Sequence, residues 1–298
     1  MLFLLYINDF SESSNVFDFH LFADDANLFY EAKNLSALET TVNCELANVY
    51  TWLCANRLSL NIDKSNYVLF HPPQRNIQRF SFSLSINNQQ LKREYCIKYL
   101  GLMIDSNLSW KKQVECVVKK VRRGIGILSK IRHYITRDIL KSLYYTLIYP
   151  FLIYGLIAWG NTYNTTLQPI YILQKKAVRV ITFSSFDHHS NPLFKLLDII
   201  IFPDLVKYYI GTFMYKYHNQ LLPSVFNSFF TKVDQVHSYN TRHASKLSYY
   251  LPKVRTNYGK FNIRFQGPMI WNSIDEDFKR SSLSLFKLKL KEHLTDNY

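Results

Sequence analysis

Cysteine is scarce and poorly placed for covalent or metal chemistry. The four residues, Cys44, Cys54, Cys96 and Cys116, stand far apart, and no C-x-x-C pair occurs. That argues against a disulfide framework and a zinc site, and reduced thiols in an intracellular protein, nuclear or cytoplasmic, are the simplest reading. The opening MLFLLYINDF lacks a basic region, and its apolar run is too short for a signal peptide. No internal repeat and no low-complexity linker is present. Charge is missing from Ser142 to Gln174. Within that stretch LYYTLIYPFLIYGLIAW, residues 143–159, approaches the length of a membrane span. Four tyrosines, Thr146, Pro150 and Gly155 interrupt it, so a buried helix–turn–helix fits better than a membrane segment.

Acidic residues are few beyond residue 100. Residues 101–298 hold 28 Lys/Arg against 12 Asp/Glu, a net +16, whereas residues 1–100 hold 8 against 10, a net −2. A polyanionic partner for the second part, nucleic acid above all, is one reading of this split, and a merely basic soluble surface is the other. Hydrophobic residues make up 48% of the 298, which excludes a disordered chain and leaves room for two domains. The abundant aromatics, 22 Tyr and 22 Phe, can fill cores or stack on bases.

Periodicity divides the chain. FHLF and NLFY flank ADDA, which predicts a β-hairpin over 15–30 with Asp24 and Asp25 at or near its turn. Leu35, Leu38, Val42, Leu46, Val49 and Leu53 recur at helical steps; Ser36 with Glu39 offers a capping box, and Asn56 a stop. LSLNI (58–62) and YVLF (67–70) read as strands, and HPPQRN (71–76) as a break. Phe80, Phe82, Leu84 and Ile86 alternate before a turn at Asn87–Asn88. IKYLGLMI (97–104) reads as a strand whose Gly101 marks a bulge or a close backbone approach. A helix follows through Trp110, Val114, Val117, Val121, Ile125 and Leu128, with a basic remainder that includes Lys130 and Arg132. Further helices are predicted from about Arg137 to Tyr149, ended by Pro150, over LQPIYILQKKAVRVI, and at the end through Leu283, Phe286, Leu290 and Leu294. From about residue 185 the pattern blurs into Tyr-rich loops and short helices.

Adjacent aspartates repel, and a plain turn needs only one. A solvated acidic turn is the bland reading. The sharper one is a divalent-cation site: hard ions such as Mg²⁺ prefer carboxylate oxygens and offset the repulsion. Two such ions can hold the attacking and leaving oxygens of an in-line phosphoryl transfer, which needs few other protein groups.

FADD between two apolar strands, then an amphipathic helix, then LNIDKS and KYLG, in this order and spacing, resembles the reverse transcriptases of non-LTR retrotransposons, the jockey-like group in particular. LFLLYINDF resembles the end of the helix before the Asp–Asp hairpin, and KYLGLMIDSNLSW the passage from palm to thumb. LIYPFLIYGLIAWG, LQKKAVRVIT, YNTRHASKL and RFQGPMIWNSI resemble the long tails of such elements. The resemblance implies an α+β fold: a truncated palm of antiparallel hairpins with a packed helix over 1–105, a mostly α-helical basic thumb over 106–184, and a C-terminal extension over 185–298.

The same resemblance assigns roles. Asp24 and Asp25 become the Mg²⁺-binding catalytic pair, with Phe22 and Ala23 shaping the hairpin. Lys64 is either the general acid that protonates pyrophosphate or an ordinary turn lysine. Leu100 and Gly101 belong to a hairpin that grips the primer terminus. Lys111, Lys112, Lys119, Lys120, Arg122 and Arg123 face an RNA template and DNA primer, with dNTP as substrate, or form a solvated face. The family's third catalytic aspartate and its fingers lie upstream of this segment; Asp9 reads as structural and Asp18 as outward-facing, so neither replaces it. Mg²⁺ binding is therefore expected to be weak or absent, and the chain alone inactive in DNA synthesis. A non-catalytic nucleic-acid-binding remnant is the alternative. Gln113 stands where similar sequences often carry His.

Overall fold

The computed structural model describes residues 2–72, 74–75, 81–236, 247–296 and 298. Phe80 and most of YNTRHASKL lie outside the described residues. The chain forms two compact units. One comprises residues 1–100 and 104–108, the other 101–103 and 109–298.

The first unit begins with α1 (Leu2–Tyr6), followed by a short 3-10 turn over Phe10–Ser13. A hairpin follows, β1 (Asp18–Phe22) with β2 (Asp25–Phe29), paired antiparallel so that Phe19 faces Leu28 and Phe22 faces Asp25. Helix α2 (Leu35–Ala55) buries Val42, Leu46, Val49 and Leu53, as its spacing predicts. These side chains gather with Ile7, Phe10, Phe17, Leu84, Ile86 and Leu91 into a small core. Burying each such side chain contributes about 1.5–3 kcal/mol.

Three local expectations are not met in this unit. No capping box forms at α2: Asn34 is the N-cap and makes no side-chain cap bond, while Glu39 instead accepts the Ser83 N–H at 2.8 Å. LSLNI is not a strand. Leu58, Leu60 and Ile62 do turn to the core, but among the described residues no strand pairs with them, and Ile62–Lys64 close into a 3-10 turn. YVLF contributes only β3 (Asn66–Tyr67), which runs parallel to β6 (Lys92–Arg93), so not every pair is antiparallel.

The Asn87–Asn88 turn joins β4 (Ser85–Ile86) to β5 (Gln89–Gln90), with both asparagines at positive φ, as a tight hairpin demands. IKYLGLMI is two strands rather than one. Strands β7 (Cys96–Tyr99) and β8 (Leu102–Asp105) are joined by Leu100–Gly101, so Gly101 is a turn residue and not a bulge.

The second unit is helical. It contains α3 (Lys111–Ile131), α4 (Arg137–Leu147), α5 (Tyr149–Ile153), α6 (Leu156–Trp159), α7 (Asn164–Ile181), α8 (Asn191–Leu197) and α9 (Phe202–His218). Beyond them lie α10 (Val233–Val236), α11 (Asn257–Phe261), α12 (Ile263–Ser273), α13 (Glu276–Lys279) and α14 (Leu283–Thr295). Pro150 opens α5 instead of merely ending α4, because proline is tolerated in the first helical turn. The apolar run 143–159 thus becomes short helices broken at Ile148 and at Gly155, whose φ is +61°. Among the described residues no helix is long and apolar enough to cross a membrane.

Helix α3 packs on α4 and α7, and α9 on α12 and α14. Residues 106–184 and 185–298, expected as separate pieces, share one core that runs from Val114 to Leu290. At its centre lies Gln174, fully buried. Its amide donates to Tyr144 Oη at 3.0 Å and to the Ile200 carbonyl at 2.9 Å, and its oxygen accepts the Phe202 N–H at 2.7 Å. Burial holds the Tyr144 phenol far above the ordinary tyrosine range, so it stays neutral.

Candidate functional site

Asp24 and Asp25 lie at the tip of the β1–β2 hairpin. The register pairs Phe22 with Asp25, which leaves Ala23 and Asp24 as a two-residue turn. Ala23 takes φ +54°, a backbone position that is costly for a residue with a Cβ. Phe22 through Ala26 are all exposed, and Phe22 retains 61% of its surface. Alternation puts Asp25 on the same face as Asp18, His20 and Phe22, while Phe19 and Leu28 on the other face pack against the core. Phe29 lies edge-on to His20 at 5.1 Å. Thus Asp25 and Phe22 share the hairpin's uncovered face.

Two carboxylates give Mg²⁺ fewer protein donors than a complete site offers. Among the described residues, no group of three or more His, Cys, Asp or Glu side chains is placed to hold a metal. Among the described residues the pair thus stands without a third carboxylate, and no phosphoryl-transfer step is assigned to it. Asp9 precedes the 3-10 turn over Phe10–Ser13 and makes no side-chain cap bond there. Asp18 is exposed at the far end of β1, opposite Phe29.

Lys64 ends the 3-10 turn that follows Asn61. Its N–H is held by the Asn61 side-chain oxygen at 3.2 Å, and its side chain is exposed. Leu100 and Gly101 form the β7–β8 turn at φ +44° and +85°. Glycine adopts such a backbone freely, but leucine pays strain there. A Cβ on Gly101 would come within 3.2 Å of the Tyr154 ring, a tight contact added to the strain that its φ already imposes on any side chain.

Helix α3 presents the cations. Buried Val114, Val117, Val121, Ile125 and Leu128 face the core, which turns Lys111, Lys112, Lys119, Lys120, Arg122 and Arg123 outward. Lys112 pairs with Glu115 at 3.1 Å in full solvent, a contact worth little. The Lys120 ammonium lies 5.0 Å from the centre of the Phe151 ring. No salt bridge among the described residues engages Lys119, Arg122 or Arg123. Their charge is thus available to a phosphate backbone.

Gln113, singled out only as a departure, proves to be a packing device. It is buried, and its side-chain oxygen accepts the Met103 N–H of β8 at 2.9 Å. No periodic signal in the sequence marks it, because a lone polar residue on an apolar face cannot announce its partner.

The chain has a distant likeness among known proteins. Over 164 residues, 54% of its length, it is 23% identical to the RNA-directed DNA polymerase from mobile element jockey of Drosophila melanogaster. The chain has a reverse-transcriptase-like relative. It spans 18% of that relative's length. No protein-family model and no solved structure matches.

Proposed function

We propose that this chain is a C-terminal segment of a jockey-like RNA-directed DNA polymerase. Its β1–β2 hairpin would contribute Asp24 and Asp25 to a Mg²⁺ site, to be completed by a carboxylate from outside the segment. The observation that carries the reading is the likeness to the jockey polymerase, joined to a pair of exposed aspartates at a tight hairpin tip. Lys64 would protonate pyrophosphate, and Leu100–Gly101 would bear on the primer terminus. Helix α3 would hold the template–primer duplex through its phosphates, reading charge and shape and not sequence. In the parent enzyme the partners are an RNA template, a DNA primer and dNTP. Taken alone, the chain does not polymerise DNA. A primer-extension assay with RNA template, Mg²⁺ and dNTPs tests this: extension that Asp24→Asn abolishes overturns the claim of an incomplete site.

A second reading is favoured by α3 itself. A chain that binds nucleic acid without catalysis needs only the cations, and Lys119, Arg122 and Arg123 have no acidic partner among the described residues. The two readings separate on metal. Once the chain is joined to the preceding part of a jockey-like polymerase, which supplies the further carboxylate, Mg²⁺-dependent binding of dNTP that is sensitive to Asp24→Asn belongs to the first alone.

A further inference from the structure

Aromatic residues of the second unit that serve no purpose in the polymerase reading converge on an open groove. It encloses about 520 Å³ beside α6, α9 and α12, and its walls carry Tyr209, Phe213, Phe226, Phe229 and Phe261. Edge-to-face contacts brace these rings: Phe213 on Phe226 at 5.6 Å, Phe226 on Phe229 at 5.0 Å, and Phe261 on Tyr163 at 4.9 Å. Tyr163 in turn accepts a hydrogen bond from the Asn257 amide at 3.1 Å. The groove is therefore a stiff aromatic surface and not a collapsed core. That size suits a small planar group, and such a lining stacks on flat rings.

Charge decides among flat ligands. No Asp or Glu occurs from residue 235 to 274, a stretch that holds six Lys/Arg and supplies one wall of the groove. Lys260 and Arg264, both exposed, flank the lining residues Phe261, Asn262 and Ile263. The Arg264 guanidinium lies 4.7 Å above the Phe229 ring. At the rim, Asn262 uses its side-chain oxygen to accept the Arg264 N–H at 2.8 Å, which leaves its NH₂ as a donor. Aromatic faces below a cationic rim match a polyanion with exposed rings, and an uncharged peptide or lipid tail has no use for the rim. Duplex bases are stacked on one another, so the rings must come from an unpaired strand.

We propose that this groove is a single-strand nucleic-acid site. Unpaired bases of RNA stack on Phe226 and Phe261, and Lys260 and Arg264 hold the adjoining phosphates. The proposal rests on the nucleic-acid reading above for the class of ligand, but it uses none of the residues of α3.

The test measures binding of the full chain to a fluorescent single-stranded RNA and to a blunt RNA–DNA duplex of the same sequence. Phe226→Leu with Phe261→Leu keeps apolar volume and removes the stacking faces. Single-strand affinity should fall about tenfold or more while duplex affinity holds. Lys260→Ala with Arg264→Ala should do the same and flatten the salt dependence on the single strand alone. Lys119→Ala with Arg122→Ala and Arg123→Ala should show the reverse pattern; duplex binding untouched by that triple variant sinks the α3 reading and leaves this one standing. Equal losses on both probes, or no loss on either, overturn the groove proposal. So does binding of an apolar peptide that single-stranded RNA fails to displace. Should the phenylalanine variant melt early, the surface pair Lys260 and Arg264 decides alone.

Discussion

The Met103 N–H donates to the buried Gln113 side-chain oxygen at 2.9 Å, tying β8 to the first turn of α3. The bond lies within the second unit and holds a strand next to the Leu100–Gly101 turn. Gln113→Leu leaves that N–H without its acceptor and should cost about 1–3 kcal/mol. Amide exchange at Met103 should quicken in the same variant. Gln113→His, which keeps a ring nitrogen able to accept, should cost less; equal losses for the two replacements would show that shape and not hydrogen bonding matters.

Gln174 serves three buried partners at once. Gln174→Leu removes all three bonds and strands a phenol, a carbonyl and an amide N–H away from water. Urea denaturation should report a loss of about 3 kcal/mol or more. A loss below about 1 kcal/mol would mean that water reaches the site.

Two glycines of α3 differ in their reasons. A Cβ on Gly124 would lie 2.8 Å from Ile148 and 3.0 Å from the Leu147 carbonyl, so packing excludes a side chain there. A Cβ on Gly126 meets nothing within 4 Å. Gly126→Ala should therefore raise stability by about 0.5–1 kcal/mol through better helix propensity, whereas Gly124→Ala should lower it. Thermal melts of the two variants check the contrast.

The cations of α3 make a graded prediction. Each of Lys119, Arg122 and Arg123, changed singly to Ala, should weaken duplex binding about equally for all sequences. Each should also lower the slope of log affinity against log salt by about 1. Asp24→Asn should leave both quantities alone. Sequence-dependent losses would show base contacts instead.

Stability should also depend on pH through His218. Burial first, then the charges of Lys232 and Lys279, depress its pKa below the ordinary 6.5. Its ring also lies 5.3 Å from Trp271 and 3.1 Å from the Tyr249 hydroxyl. A depressed histidine pKa means that the unfolded chain takes up the proton first as pH falls. The stability contribution is thus whole above pH 6.5 and is lost as pH drops through the lower folded value. His218→Gln should flatten that part of the stability–pH curve; a rise in stability on acidification would contradict it.

Local chemistry alone settled a good share of this protein. Helical spacing marked the buried stripe of α2, α3 and α14, because a 3.6-residue period is written in neighbouring residues. Turn chemistry marked the Asn87–Asn88 hairpin and put the aspartate pair at the tip of its own, since both depend on a few adjacent backbone angles. Tertiary structure decided what depends on distant surfaces meeting. LSLNI alternates like a strand yet finds no pairing partner among the described residues, and the Leu100–Gly101 turn splits the alternating run IKYLGLMI into a hairpin. Gln113 and Gln174 read as ordinary polar residues until burial gives them partners. The aromatic groove draws on residues from Ile153 to Ile263, over a hundred positions apart, and no local pattern encodes which rings converge. Burial is a collective property of the packed chain, so it becomes visible only when the fold has closed.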